Sequence, residues 1–243
     1  MMPLHLLPTR TGAAAENMAL DFLLLQRYPE PAAARFRHYE WRGAACTFGF
    51  GQKIEYVRAH LPAAAAFDLC RRPTGGGVVD HRNDWTYTLV LPRGHTWYEA
   101  RSTEAYRGVH AALADALGTL GQPAELKKAG EVPDELPADA LAKAGPGVCF
   151  QKAELYDVIN TRTGAKIAGA AMKRTKHGLL LQGSIEKGSV GPVEWEDFSA
   201  RFTAALGRAL GAEPAPAPWP ELNEAEVEGL IEQYSAPEWN ECR

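Results

Sequence analysis

The sequence predicts an α+β domain in which helices share a core with clustered antiparallel strands, and three observations carry this reading. "WTYTLVLP" sets Trp85, Tyr87, Leu89 and Leu91 against Thr86, Thr88 and Val90, the period of a strand, and Pro92 closes it. After residue 147, the short apolar runs "VCF", "LYDVIN", "AKIAGAAMKRT" and "GLLLQGSI" are separated by turns such as Thr163-Gly164, as in a meander. Segments of helical period stand before, between and after these strands, without the regular alternation of a parallel sheet.

In chain order, "AAAENMALDFLLLQRY" after Thr11 reads as a largely buried helix, with Met18, Phe22 and Leu25 on one face and Leu20, Leu23 and Leu24 widening it. "RFRHYEWRGAACTFGFGQ" reads as two strands entering a loop around Gly49 to Gln52. "TEAYRGVHAALADALGTLG" places Tyr106, Val109, Leu113, Leu117 and Leu120 on one helical face, stopped by Gly121 and Pro123. Residues 122 to 147 read as a long connection with short strand or helix pieces near Glu125 to Lys128. "DFSARFTAALGRAL" turns Phe198, Phe202, Ala205, Leu206 and Ala209 inward, and "PAPAPWP" from Pro214 to Pro220 reads as a stiff linker. In the last helix Asn223 and Glu226 fit a capping box, and Val227, Leu230, Ile231 and Tyr234 share a face.

Bulk properties bound the function. The chain has 243 residues, 46% hydrophobic and 23% charged, enough for one large domain. A net charge of -4 argues against a nucleic-acid or membrane-surface binder, which needs a basic excess. No apolar run reaches membrane-spanning length and the N-terminus lacks a secretory pattern, so a cytoplasmic location is expected. Cysteines 46, 70, 149 and 242 show neither CxxC pairing nor regular spacing, which indicates free thiols, no metal site and no disulfide framework.

Three constellations carry chemistry. In "CRRPTGGGVVDH", Gly75, Gly76 and Gly77 can open a turn to a ligand and offer backbone N–H groups to an anion. Arg71 and Arg72 add planar, permanent cations there, and His81 can orient a carbonyl or shuttle a proton. The plain alternative is a flexible hairpin with solvated arginines. A P-loop is excluded, because GxxxxGK[ST] is absent and these glycines precede a strand. In "GAKIAGAAMKR", Lys166 either occupies a tight glycine-lined site or faces solvent from a strand. Cys149 in "GPGVCFQKAELYDV" is either an inert buried thiol or an acyl-accepting nucleophile, with Lys152 as the cation nearest in sequence. Asp157 downstream is a salt-bridge partner or a strand-edge carboxylate.

In combination, "RRPTGGGVVDH", "KIAGAAMKR" and "GLLLQGSI" at these separations resemble the lipoate-protein ligase and octanoyltransferase family, which shares its fold with biotin protein ligases. "ENMALDFLLL", "FRHYEWRGAACTFGFGQ" and "YSAPEWN" look like family segments in the same order, so the resemblance covers about residues 14 to 240. It implies a central, largely antiparallel β-sheet flanked by helices, like the catalytic domain of biotin and lipoate protein ligases. With it comes a catalytic domain over 1–213, followed by a proline linker and a C-terminal helix over 214–243 packed on the same domain.

The implied activity is attachment of a lipoyl or octanoyl group to a lysine of a lipoyl carrier domain, of the glycine cleavage H protein or 2-oxoacid dehydrogenase type. Arg71, Arg72 and the turn Gly75 to Gly77 would line the pocket for the acyl chain and its activated head. Lys166 would hold the acyl carbonyl or adenylate phosphate, and His81 with Ala168, Gly169 and Ala170 would complete the pocket. The resemblance aligns Cys149 with the nucleophile of octanoyltransferases that take the acyl group from acyl carrier protein as a thioester, with Lys166 as its partner and no bound cofactor. The alternative is an ATP-dependent lipoate ligase working through an acyl-adenylate, with magnesium entering alongside ATP. A further alternative is a non-catalytic lipoyl-domain-binding paralogue. Departures exist: Gly77 and "GAAMKR" stand where such transferases usually have Arg and a Gln, and "LLQGS" replaces a common His-Gly pair.

Overall fold

The computed structural model describes residues 2–61, 66–129 and 153–242. In chain order the elements are β1 (Met2–Gly12), α1 (Ala14–Gln26), β2 (Ala34–Trp41), β3 (Ala45–Phe48), α2 (Ile54–Ala59), β4 (Asp68–Arg71), β5 (Val78–Asp80), β6 (Asp84–Pro92) and α3 (Thr96–Glu99). They continue with α4 (Ser102–Thr119), β7 (Ala124–Leu126), β8 (Val158–Asn160), β9 (Lys166–Thr175), β10 (Gly178–Glu186), α5 (Trp195–Leu210), β11 (Ala212–Pro216), α6 (Glu224–Ser235) and α7 (Pro237–Asn240).

One sheet has the strand order β11-β1-β2-β6-β10-β9-β8-β7, and a smaller one the order β4-β3-β5. In the large sheet β1 runs parallel to both β11 and β2, and every other pairing is antiparallel. This is the α+β architecture expected from the clustered strands.

The alternation in β6 is explained by what lies on each side of it. Trp85, Tyr87, Leu89 and Leu91 enter the main core with Val109 and Leu113 of α4 and Phe198 and Phe202 of α5. Phe202 meets Phe36, Trp85 and Tyr87 edge-on. Truncating such a ring to alanine costs about 3–5 kcal/mol. On the opposite face Val90 packs with Leu24 and Leu25 of α1, and Thr88 donates its hydroxyl to Asp21 of the same helix at 2.8 Å. Both faces are covered, so all nine residues of β6 are buried.

Several elements differ from the sequence reading. β1 was not foreseen, and the first part of the proline segment is strand β11 rather than linker, paired parallel to β1. Its prolines are tolerated because β11 is an edge with one side unpaired. In α5 the inward position near the end belongs to Leu210, while Ala209 is exposed. Gly211, in the left-handed region at φ 63°, then ends the helix. Asn223 caps α6 by accepting the Glu226 N–H at 3.1 Å. The reciprocal bond goes elsewhere: the Tyr28 hydroxyl accepts the Asn223 N–H and donates to the Glu226 carboxylate, both at 2.8 Å.

Candidate active site

A cavity of about 280 Å3 opens where the two sheets meet. β9 and β10 contribute Lys166, Gly169, Ala170, Ala171, Gln182, Gly183 and Ser184. Trp41, Thr47, Arg72, Gly76, Gly77 and His81 come from β2, the small sheet and its loops, and Tyr106 from α4.

Lys166 begins β9, and its ammonium lies 2.7 Å from Asp157 Oδ2. Asp157 is fully buried and holds more than the lysine. Its Oδ2 accepts the Glu154 N–H at 2.6 Å, and its Oδ1 accepts the hydroxyl of Tyr106. That hydroxyl accepts the Ala170 N–H in turn, at 3.2 Å, tying α4, β9 and the loop before β8 into one unit. Burial, and then the Asp157 charge, push the Tyr106 phenol up, so it stays a donor. Gly169 makes this possible: a Cβ there would stand 2.7 Å from both the Lys166 Cε and Nζ.

The two arginines have separate fates. Arg72 reaches the cavity and donates to Thr47 Oγ1 at 2.8 Å and to the carbonyls of Gly75 and Gly77 at 2.9 and 3.0 Å. The glycine turn therefore offers these carbonyls to its own arginine. Gly76 sits at φ 89°, and its carbonyl comes so near Gly49 that a Cβ on Gly49 would lie 2.0 Å from it. Arg71 is not part of the lining. Its buried guanidinium donates to the carbonyls of Phe50, Gln52, Trp239 and Asn240, which fastens α7 to β4. Four of its five donors go to backbone oxygens, so Arg71 fastens the chain here, where the resemblance had implied a place in the acyl pocket.

The described residues among those expected from the sequence largely converge. Lys166, Arg72, Gly76, Gly77, His81, Gly169 and Ala170 line one cavity. Ala168 instead packs into the main core, and Gly75, exposed in the turn, is not among the lining residues. Cys149 and Lys152 lie outside the described residues. Of the two readings of Asp157, the salt-bridge partner is the observed one.

Sequence reasoning missed a buried polar web beneath the cavity. Gln182 Oε1 accepts the Thr74 hydroxyl at 2.7 Å, and its amide donates to Asp21 Oδ2 at 2.6 Å. The guanidinium of Arg37 pairs with Asp21 Oδ1 at 2.7 Å. A lone Asp in the apolar run "ALDFLLL" was the available signal, because a charge on a buried helix face needs a partner.

The family comparison matches residues 13–187 to the lipoyl protein ligase A/B catalytic domain. The chain belongs to that family. Membership makes it an enzyme of the acyltransferase and ligase kind, and the cavity with Lys166 falls inside the matched span. The chain is 26% identical over 277 residues to an octanoyltransferase LipM of Kyrpidia tusciae, an alignment covering 99% of each. It is 33% identical over 180 residues to the octanoyltransferase LipM of Bacillus subtilis, across 72% of this chain and 62% of that protein. Among solved structures, a bipartite lipoate protein ligase of Thermoplasma acidophilum, studied with its E2 lipoyl domain, superposes with a TM-score of 0.72 at 19% identity, covering 99% of this chain and 97% of that one. That likeness shows the lipoyl-ligase fold. Among the described residues no helix is long and apolar enough to cross a membrane.

Proposed function

We propose that this chain transfers an octanoyl group from acyl carrier protein to a lysine of a lipoyl carrier domain through a thioester on Cys149, without ATP. The observation that carries the reading is the Lys166 ammonium, held at 2.7 Å by Asp157 at the edge of a largely apolar cavity. A fixed cation beside an acyl carbonyl stabilises the oxyanion that forms when a nucleophile adds to it. The relatives named octanoyltransferase LipM support transfer rather than ATP-dependent ligation.

In this reading the Cys149 thiolate attacks the thioester carbonyl, and the carrier-protein sulfur leaves as a thiolate that takes its proton from water. The lipoyl-domain lysine then attacks the acyl-enzyme, forming the amide and freeing the cysteine. Lys166 stabilises both tetrahedral adducts, while Asp157 and Tyr106 keep its ammonium in place.

Intact mass spectrometry after incubation with octanoyl acyl carrier protein, wild type beside Cys149→Ala, tests the proposal. An octanoyl adduct that needs Cys149 and passes to a lipoyl domain without ATP is the expected result. No adduct, with carrier modification only when ATP and free lipoate are supplied, would make the protein a ligase and Cys149 a bystander.

A further inference from the structure

Thr47 and His81, both buried side chains among those lining the cavity, form a hydrogen-bonded line with Asp84 behind them, on residues separate from the Lys166 group. Thr47 is on β3 of the small sheet, His81 follows β5, and Asp84 begins β6. The His81 Nδ1 lies 2.7 Å from Asp84 Oδ2, and its Nε2 lies 2.7 Å from Thr47 Oγ1. A carboxylate only accepts, so Nδ1 carries the proton and Nε2 is left as the acceptor. Arg72 already donates to the Thr47 oxygen at 2.8 Å, so the Thr47 hydroxyl has its own proton free to point at His81. The order hydroxyl, imidazole, carboxylate is that of a serine-hydrolase triad.

The line is held rigidly. Trp41 stacks on the imidazole at 4.0 Å between centroids, and its indole N–H donates to Thr86 Oγ1 at 2.8 Å. The Thr86 hydroxyl donates to Asp84 Oδ2 at 2.7 Å, and Ser184 donates to the same oxygen. Asp84 Oδ1 is buried with no hydrogen-bond partner, so that carboxylate keeps acceptor capacity and negative charge to spare.

The proposed reaction needs a proton acceptor. A lysine side chain arrives as an ammonium and attacks only as the amine. Asp157 is committed to Lys166, Tyr106 and the Glu154 N–H, and Glu154 itself is exposed to water. His81 is the one imidazole among the described residues lining the cavity, and imidazole is the usual proton acceptor at neutral pH.

We propose that Thr47 and His81 relay a proton from the attacking lysine of the carrier domain, with Asp84 fixing the imidazole and balancing its charge. The inference rests on the acyl-transfer reading above. Amide formation removes two protons from the ammonium. One passes to Thr47 Oγ1 as Thr47 hands its own to His81 Nε2, and leaves to water after product release. The nitrogen lone pair forms the C–N bond, the C–S bond breaks with its electrons staying on sulfur, and the second proton goes to that sulfur.

The test compares two nucleophiles on the full-length protein. Enzyme-dependent octanoyl transfer is measured to a lipoyl-domain lysine and to hydroxylamine, which is neutral at pH 7 and needs no base. Thr47→Val and His81→Gln should lower lysine transfer about 100-fold, the usual worth of a general base, and hydroxylamine transfer by far less. Thr47→Ser should restore the lysine rate. Equal losses with both nucleophiles, or full lysine transfer in Thr47→Val, would overturn the relay and leave these residues as scaffolding. A wild type that acylates neither nucleophile would sink the acyl-transfer reading, and the relay with it.

Discussion

The Lys166 ammonium and the Asp157 carboxylate lie 2.7 Å apart, with side chains 10% and 0% exposed, so the lysine's position is set by a group that cannot itself turn to solvent. A lone cation at a cavity edge would sweep several rotamers; this one is aimed. Asp157→Asn should keep the shape and remove the charge. Removing the Asp157 charge from beside this largely buried ammonium then costs on the order of 3 kcal/mol of stability. Octanoyl transfer should fall about 100-fold, the penalty of a misplaced catalytic group. Calorimetry beside single-turnover transfer checks both, and an unchanged rate would mean that Asp157 does not position Lys166.

Gly169 separates catalysis from stability more cleanly. The atoms a Cβ would meet at 2.7 Å are the far end of the Lys166 side chain, which can move, with Asp157 Oδ1 at 3.2 Å. Gly169→Ala should therefore fold with a change in stability within about 1 kcal/mol, yet lose most of its transfer activity because the ammonium is displaced. Thermal unfolding and a transfer assay on one preparation decide it. A variant with full activity would show that the lysine need not occupy its observed position.

How much of this was legible can be judged from particular residues. The β6 alternation and the α5 face were readable because each has one apolar side against the main core. Strand β1 was not, since Pro3 and Pro8 interrupt its pattern and its pairing partners lie far along the chain at β2 and β11. The glycine turn, Lys166 and His81 were visible as residue types that a plain scaffold has little use for. Which arginine of the pair reaches the cavity was not visible, because strand alternation sends neighbours to opposite sides and only the register of β4 decides which is which. Tyr106 was read as a core residue of α4 and instead serves Asp157.

The two arginines yield opposite expectations. Arg71→Ala leaves four carbonyl oxygens without their donor and should destabilise the fold by about 3 kcal/mol or more, loosening Trp239, whose indole donates to the Arg71 carbonyl at 2.8 Å. Transfer activity per folded molecule should survive. Arg72→Ala removes the guanidinium that holds Thr47 and the glycine turn, so transfer should drop at least tenfold with a smaller stability loss. Urea midpoints with tryptophan fluorescence, read beside the transfer rate, separate them. Arg71→Ala failing in transfer while keeping wild-type stability would return that residue to the acyl pocket.

His110 predicts how stability changes with pH. Its ring is fully buried in α4, the Nδ1–H donates to the Tyr156 carbonyl at 2.9 Å, and Nε2 has no partner. Tyr156 holds the left-handed region at φ 68° immediately before Asp157, so this hydrogen bond steadies the turn that places the carboxylate. Burial lowers the His110 pKa from 6.5 to about 4, against a smaller opposing pull from Asp157. Between those values the unfolded chain binds the proton and the folded chain does not. The stability held by the neutral ring is therefore complete above pH 6.5, declines as the pH falls, and is gone near pH 4. That gap corresponds to about 3 kcal/mol. Unfolding free energies measured from pH 7 to 4.5 should fall more steeply in the wild type than in His110→Gln, which carries no titrating ring. Parallel curves would show that the imidazole takes a proton without unfolding and that the Tyr156 turn has another support.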